Sequence, residues 1–436
     1  MGFLSLIGFF IFLALAYNYP RKMGWAVIIL APILGAGQFT FVPSTAFPLT
    51  TYRAAFAVSL GILMAARDIR PTLKRIWSSK AIKALLLFIV LYGLSALRDR
   101  PVNTIVTFVP TWIFPLLIAG FMVRRTEDLK LMTKIFAFQA VIIGLFIIIE
   151  YYSGFNISVL LKQTNPNLGE RSLWIGSVAE GYQRSGYYRA SGIDGHPVFT
   201  GYRLAFLFPL VLWYAKDHRS AGVVYSGLIF LSLLLLQTRT AIIVTAIAIL
   251  MVSILGKKKN MVISFGILIG LVLVGIQIPF IRQFIIDFWY ASFEQVTLGI
   301  ENRAMAERFY RIPFALEALR DHLFIGFGSR NYVLYQVMPA HSNDLPAPIL
   351  YLVSGGIFTG LAWISAFVGM IIGTWDMGRK TNEHTTFYVF LGVALFAGTS
   401  VMFVNMAENH IIPMIMLYTG VYNVYSIKRR EQGSNI

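Results

Sequence analysis

Arginine is placed unevenly in this 436-residue chain, and the placement suggests chemistry. Arg98, Arg100, Arg171, Arg184, Arg189, Arg239, Arg282, Arg303, Arg308, Arg311, Arg320 and Arg330 lie in segments that hold one lysine, Lys162. A guanidinium is planar, permanently charged and less strongly hydrated than an ammonium ion, and its fork binds phosphate oxygens in pairs. A face that chooses arginine over lysine is therefore suited to an anionic ligand. Arg239 is the sharpest case. It stands in Gln237-Thr238-Arg239-Thr240 between two apolar runs, where an unpaired charge is expensive. Taken singly, each arginine is also explained by pairing with a nearby acid or by snorkelling to headgroups. The stretch 283–345 has seven acids for five arginines, so local pairing there is a real alternative.

One histidine is placed to complement these cations. His341 precedes the small polar group Ser342-Asn343-Asp344, and Gly355, Gly356 and Gly360 open the apolar run that follows. A histidine near neutral pKa takes a proton from a hydroxyl nucleophile, and small residues at a helix opening allow close packing or substrate approach. A structural, hydrogen-bonded histidine is the plainer reading of the same residue. The chain has no cysteine, which removes disulfides, thiolate metal sites and thiol nucleophiles. No Asp-x-Asp pair, metal-spaced His/Glu cluster, glycine-lysine phosphate loop or serine elbow occurs, so catalysis without a metal or other cofactor is the expectation if the chain is an enzyme.

The elements that must position these groups are set by hydropathy. Apolar residues form 57% of the sequence and charged residues 13%, with apolar runs recurring from end to end. Backbone groups in hydrocarbon must be satisfied internally, and runs of about 17 to 25 residues suit helices. The expected fold is an all-α, polytopic membrane bundle of about 13 spans, within a range of roughly 12 to 14. They fall near 3–17, 24–41, 54–66, 84–97, 103–123, 131–149, 198–215, 221–237, 241–255, 261–281, 346–373, 386–405 and 411–427. The first run lacks a preceding basic residue and a small-residue cleavage site, so it reads as a span rather than a removed signal.

The net charge of +17 would suggest nucleic acid in a soluble protein, but in a membrane protein the positive-inside rule accounts for most of it. Arg21/Lys22, Arg67 to Lys83, Arg124 to Lys130, Lys216/Arg219, Lys257 to Lys259, Arg379/Lys380 and Lys428 to Arg430 then share the cytoplasmic side, and no nucleic-acid partner is expected. The C-terminus is expected inside and the N-terminus outside. Two long connections, 151–196 and 283–345, fall on the opposite, extracytoplasmic side. The second holds an amphipathic stretch, Ala304 to Leu319, and a Gly326-Phe327-Gly328 turn. With no internal repeat and no soluble boundary, 1–436 reads as a single membrane domain.

Four stretches resemble the O-antigen ligase and polysaccharide (O-antigen) polymerase superfamily of bacterial inner-membrane glycosyltransferases. Arg189-Ala190-Ser191-Gly192 followed by Gly195-His196-Pro197 is similar to the family's arginine-glycine-proline segment, and Thr238-Arg239-Thr240 to its Ser/Thr-Arg turn. Arg308, Ala315 to Leu319 and Asp321 to Gly328 resemble its arginine-helix-glycine pattern, and His341 its histidine motif. Leu323 stands where the family usually has proline, and Ser342 where asparagine usually follows the histidine; Asn343-Asp344 supplies the polar role one position later.

The resemblance implies a GT-C-like, metal-independent, inverting glycosyltransferase of the bacterial inner membrane with its active site facing the periplasm. The implied donor is a glycan on undecaprenyl diphosphate. His341 would be the base, or Asp344 in its place. Arg189, Arg239 and Arg308 would stabilise the diphosphate, with Arg303, Arg311, Asn343 and Asp344 as further substrate contacts. The implied acceptor is a second lipid-linked repeat unit, making a polymerase for O-antigen or exopolysaccharide, or lipid A core, making a lipopolysaccharide ligase. The Gly195-His196-Pro197 stretch tips the choice to a polymerase, with a chain-length regulator as a further expected partner. From another class, a lipid-linked oligosaccharide flippase would also need many spans and cations, but should show charges deep in its spans and repeated halves.

Overall fold

The computed structural model describes residues 3–35, 40–42, 49–66, 69–97, 112–153, 183–184, 187–188, 190, 192, 197–255, 282, 286, 313, 315–317, 319–328, 347–381, 384–402 and 408–433. The described chain is helical, and its helices follow the apolar runs. They are α1 (Phe3–Asn18), α2 (Met23–Gly35), α3 (Thr51–Ala66), α4 (Ile69–Ser78), α5 (Lys80–Leu97), α6 (Phe114–Met122) and α7 (Thr126–Ser153). After the first long connection come α8 (Pro197–Asp217), α9 (Arg219–Leu235) and α10 (Arg239–Leu255), and after the second α11 (Ala347–Gly355), α12 (Ile357–Thr381), α13 (His384–Met402) and α14 (Glu408–Gly433). The expected span at 261–281 and the start of that at 103–123 lie outside the described residues.

Among the described residues three helices, α7, α8 and α12, are long and apolar enough to cross a membrane, and α4 with α5 makes a fourth if that pair is one bent span. At about 1.5 Å per residue α7 is roughly 42 Å long, more than the ~30 Å hydrocarbon layer. Its start is fixed locally, because Asp128 Oδ2 accepts the Arg124 and Arg125 amides at 3.0 and 2.9 Å.

Three features differ from the sequence expectation. The basic stretch after α3 is a helix, α4, bent 95° from α5 at Ser79. The run 346–373, expected as one span, is broken at Gly356, whose φ of +84° no right-handed helix contains. Two short antiparallel strand pairs add to the helices: β1 (Thr40–Val42) with β2 (Leu49–Thr50), and β3 (Gln183–Arg184) with β4 (Tyr187–Tyr188). The second pair ends one residue before Arg189.

One apolar core joins the helices. At its centre Phe88 of α5 meets Trp112 and Tyr351 edge-on, with ring centroids 5.1 and 4.9 Å apart, a geometry that suits opposed quadrupoles. Small residues let helices close on one another, as in other lipid-embedded bundles. A Cβ on Gly369 of α12 would meet that of Ala81 at 3.0 Å.

Helix direction sorts the two ends of the bundle. Ala81 lies against Gly369 while Ser95 bonds Ser354, so α5 runs antiparallel to α11 and α12. Thr126, Thr381, Thr386 and Lys428 line one small recess, which brings the start of α7, the end of α12, the start of α13 and the end of α14 together. Gly24, just after Arg21 and Lys22, packs on Met122, two residues before Arg124. Most of the described basic clusters thus share one end, as the charge pattern predicts. The far end of α7 and the start of α12 point the other way.

Candidate functional site

Two motifs that are far apart in sequence meet at the end opposite the basic clusters. The first is the Ala190 to Pro197 segment. Gly192 has φ +65°, a conformation that penalises a side chain, and a Cβ there would come within 2.6 Å of Thr200 Cγ2. Its amide donates to Glu150 Oε2 at 2.8 Å, close to the end of α7. Glu150 is fully buried and Ala190 beside it is buried too. The residue after Arg189 is thereby packed into the core, and the third one is pinned by a buried hydrogen bond.

The second motif is the turn between α9 and α10. Leu236 and Gln237 close α9 by donating to Ser232 and Leu234 carbonyls at 2.9 and 3.0 Å. Gln237 then takes φ +49°, the left-handed position usually given to glycine after a helix. Thr238 Oγ donates to the Pro197 carbonyl at 3.0 Å, and Gly201 lies close enough that a Cβ would meet Thr238 Cβ at 3.0 Å and Ala241 Cβ at 3.2 Å. These contacts fix the first residue of α10, Arg239, relative to the first turn of α8. Arg203, one turn beyond Thr200 on α8, is 5% exposed. An arginine buried in a membrane-capable helix is costly and marks a functional region.

A second arrangement at the same end is built on the break at Gly356. There α11 ends, and the Leu323 to Gly328 segment docks against its last carbonyls. Phe327 N donates to Val353 O at 2.9 Å, Gly328 N to Ser354 O at 2.8 Å, and in return Ile357 N donates to Leu323 O at 2.8 Å. Gly326 and Gly328 have φ of +68° and +89°. Ser95 Oγ completes the seam, lying 2.6 Å from Ser354 O and 3.1 Å from Ile325 O. The seam satisfies carbonyls that a broken helix would otherwise leave bare. Within the amphipathic stretch before it, 315–317 are helical and Ala315 is buried against Leu350 and Val353.

Of the residues singled out for chemistry, Arg239 is placed as far as its backbone, at the start of α10. Arg189, Arg303, Arg308, Arg311, His341, Asn343 and Asp344 lie outside the described residues, as does most of 151–196 and 283–345. Their anchors are visible: Gly192 for Arg189, the seam and α11 on either side of His341. Glu150, Ser95 and Arg203 are not among the residues that the sequence points to. A lone acid closing a long apolar run was the available signal for Glu150.

The comparison with known families bears on this same region. Residues 224–352 match the O-antigen ligase family. The match supports the ligase and polymerase superfamily that the motifs resemble. It contains the Thr238-Arg239-Thr240 turn, Arg308, the seam-forming Leu323 to Gly328 and His341, while Arg189 and Glu150 lie upstream of it. A match to this family implies a ligase- or polymerase-type glycosyltransferase acting on lipid-linked glycan and acceptor, and the apolar helices of the chain fit a membrane protein. No curated protein and no solved structure matches the chain.

Proposed function

We propose that the protein is a metal-independent, inverting glycosyltransferase of the bacterial inner membrane, joining lipid-linked repeat units at the periplasmic face. The observation that carries this reading is the meeting of the Arg189 to Pro197 segment with the Thr238-Arg239-Thr240 turn through the Thr238–Pro197 bond, inside or beside the stretch that matches the ligase family. Both motifs carry an arginine. In this reading the chain crosses the membrane about 13 times as one domain, with 151–196 and 283–345 over the outer face.

The donor is a glycan on undecaprenyl diphosphate. The acceptor hydroxyl oxygen attacks the anomeric carbon, its proton passes to His341, and the bond from that carbon to the diphosphate oxygen breaks with the electron pair leaving on the diphosphate. Arg189, Arg239 and Arg308 stabilise the growing charge, and Arg303, Arg311, Asn343 and Asp344 hold substrate. Loss of one diphosphate-facing arginine costs about two to three orders of magnitude in rate. A polymerase is favoured over transfer to lipid A core by the Gly195-His196-Pro197 segment, and a chain-length regulator fits that activity.

The test uses purified full-length protein with undecaprenyl-diphosphate-linked repeat units, with and without lipid A core and with and without chelator, read as a gel ladder and released lipid diphosphate. A ladder from lipid-linked units alone supports the polymerase. Transfer only on addition of core identifies a ligase. No diphosphate release with either acceptor refutes the enzyme and favours a flippase. Activity in His341→Ala with none in Asp344→Ala moves the base to Asp344.

A further inference from the structure

The end of the bundle away from the candidate site is also built around arginine. Helix α4 lies across this end rather than along the bundle. Its inner face packs so tightly on α6 that a Cβ on Gly120 would collide with Ile76. Ser78 Oγ and Tyr422 Oη are 2.9 Å apart, and Ser79 Oγ and Tyr418 Oη 2.8 Å, tying the last residue of α4 and the bend after it to α14. Asn423 is the hub. Its amide donates to the Gly120 and Val123 carbonyls at 2.9 and 2.5 Å, and its oxygen accepts Arg75 Nε at 2.8 Å.

Arg75 is thus held in one orientation, with Nη2 also donating to Thr72 Oγ at 3.2 Å. Burial and then the charges of Arg124 and Arg430 lower its pKa, and the Asn423 bond to the Val123 carbonyl holds the residue before Arg124 at the same hub. Asp128, four residues after Arg124, accepts the Arg124 and Arg125 backbone amides and so caps α7. The outer face of α4 carries Arg70, Leu73, Lys74 and Trp77 at i, i+3, i+4 and i+7, one stripe of the helix. Trp77 is 60% exposed and Leu73 41%. Cations beside an exposed tryptophan and leucine are the composition of a helix lying in a membrane interface.

We infer that α4, Arg124 and Arg430 form a binding site for the phosphodiester of an anionic phospholipid, with Leu73 and Trp77 seated at the acyl boundary. This goes beyond the positive-inside pattern, which needs only charge on one side. Here Asn423 fixes a guanidinium and the neighbouring elements bring two more to it. The site is independent of the transferase reading and lies at the other end of the bundle.

The test is the dissociation constant of detergent-solubilised full-length protein for phosphatidylglycerol and phosphatidylcholine, by native mass spectrometry. Removing a cation near such a headgroup weakens binding about fivefold, so Arg124→Gln with Arg430→Gln should weaken phosphatidylglycerol roughly twentyfold. Phosphatidylcholine should be unaffected. Equal phosphatidylglycerol affinity in wild type and variant overturns the site. Inorganic phosphate or diphosphate displacing the lipid at matching concentration would make this a soluble-anion site and overturn the lipid assignment. A second measurement needs no charge variant: the Trp77 fluorescence, taken as wild type minus Trp77→Phe, should be quenched more by dibrominated phosphatidylglycerol than by dibrominated phosphatidylcholine. Equal quenching overturns the proposal.

Discussion

Single side chains decide how the two motif segments are held. Thr238 is 4% exposed, and its hydroxyl satisfies the Pro197 carbonyl. Thr238→Val keeps the shape and removes the bond, and leaving a buried acceptor bare costs about 1–3 kcal/mol. The expected result is a lower thermal midpoint in detergent together with a fall in kcat, both restored by Thr238→Ser. Glu150 acts in the same way on the other segment, accepting the Gly192 amide three residues after Arg189. Glu150→Ala should lower the transfer rate about tenfold, the loss expected when a buried amide is left without its acceptor, while Glu150→Gln, which keeps an acceptor oxygen, recovers most of it. Equal rates for the two variants would show that the bond does not position Arg189. The sequence marked Thr238 as part of a motif but not its bond, and Glu150 not at all, because a threonine and a glutamate acquire these roles only through a proline carbonyl and a glycine amide brought in from elsewhere.

At the scale of elements, the apolar runs gave helix positions closely. The run 198–215 is α8 at Pro197–Asp217, and 411–427 is α14 at Glu408–Gly433. Hydropathy sees mean polarity along a window, and this is what burial of a helix depends on. It does not see a break that other backbone groups repair, so 346–373 read as one span although Gly356 divides it. It likewise read the basic stretch 67–83 as a loop charge, since alternation with polar residues hid the packed face of Thr72 and Ile76 in α4. Of the candidate site, the arginine and glycine motifs were legible and the bonds between them were not. The seam offers a direct check. Gly356→Ala forces a side chain into the left-handed region, costing roughly 1–2 kcal/mol, and drives its Cβ into the Phe324 carbonyl. Faster amide exchange at Phe327 and Gly328 is expected, with the distant α4–α14 contacts unchanged. Uniform destabilisation would mean that the seam is not a separate unit.

For the whole molecule, the sorting of ends makes a prediction about orientation. The basic clusters gather at one end and the glycine-arginine motifs at the other, about the length of α7 apart. Positive-inside orientation then sets the motif end outside. Alkaline phosphatase fused after Gly433 should be inactive, and inserted within 151–182 it should be active, with a cytoplasmic reporter giving the reverse pattern. Activity of the phosphatase at both positions would contradict a bundle that crosses with all its basic ends on one side. The sign of the charge asymmetry could be taken from the sequence; that the clusters converge on Asn423 and Arg75 could not, because it depends on a 95° bend.

The seam at Gly356 has one more consequence, for how such a protein diversifies. Gly328 is tied to Ser354, near one end of α11, and the chain returns at Ala347, the other end of the same helix, roughly 10 Å away. The stretch 329–346, which holds His341, therefore begins and ends on one short rigid strut. Its length is free to change without moving either attachment, because loop length adds little to closure cost. On the proposed transferase function, transplanting this stretch between relatives with its two anchors kept would carry acceptor choice with it while the rest of the bundle stays as it is.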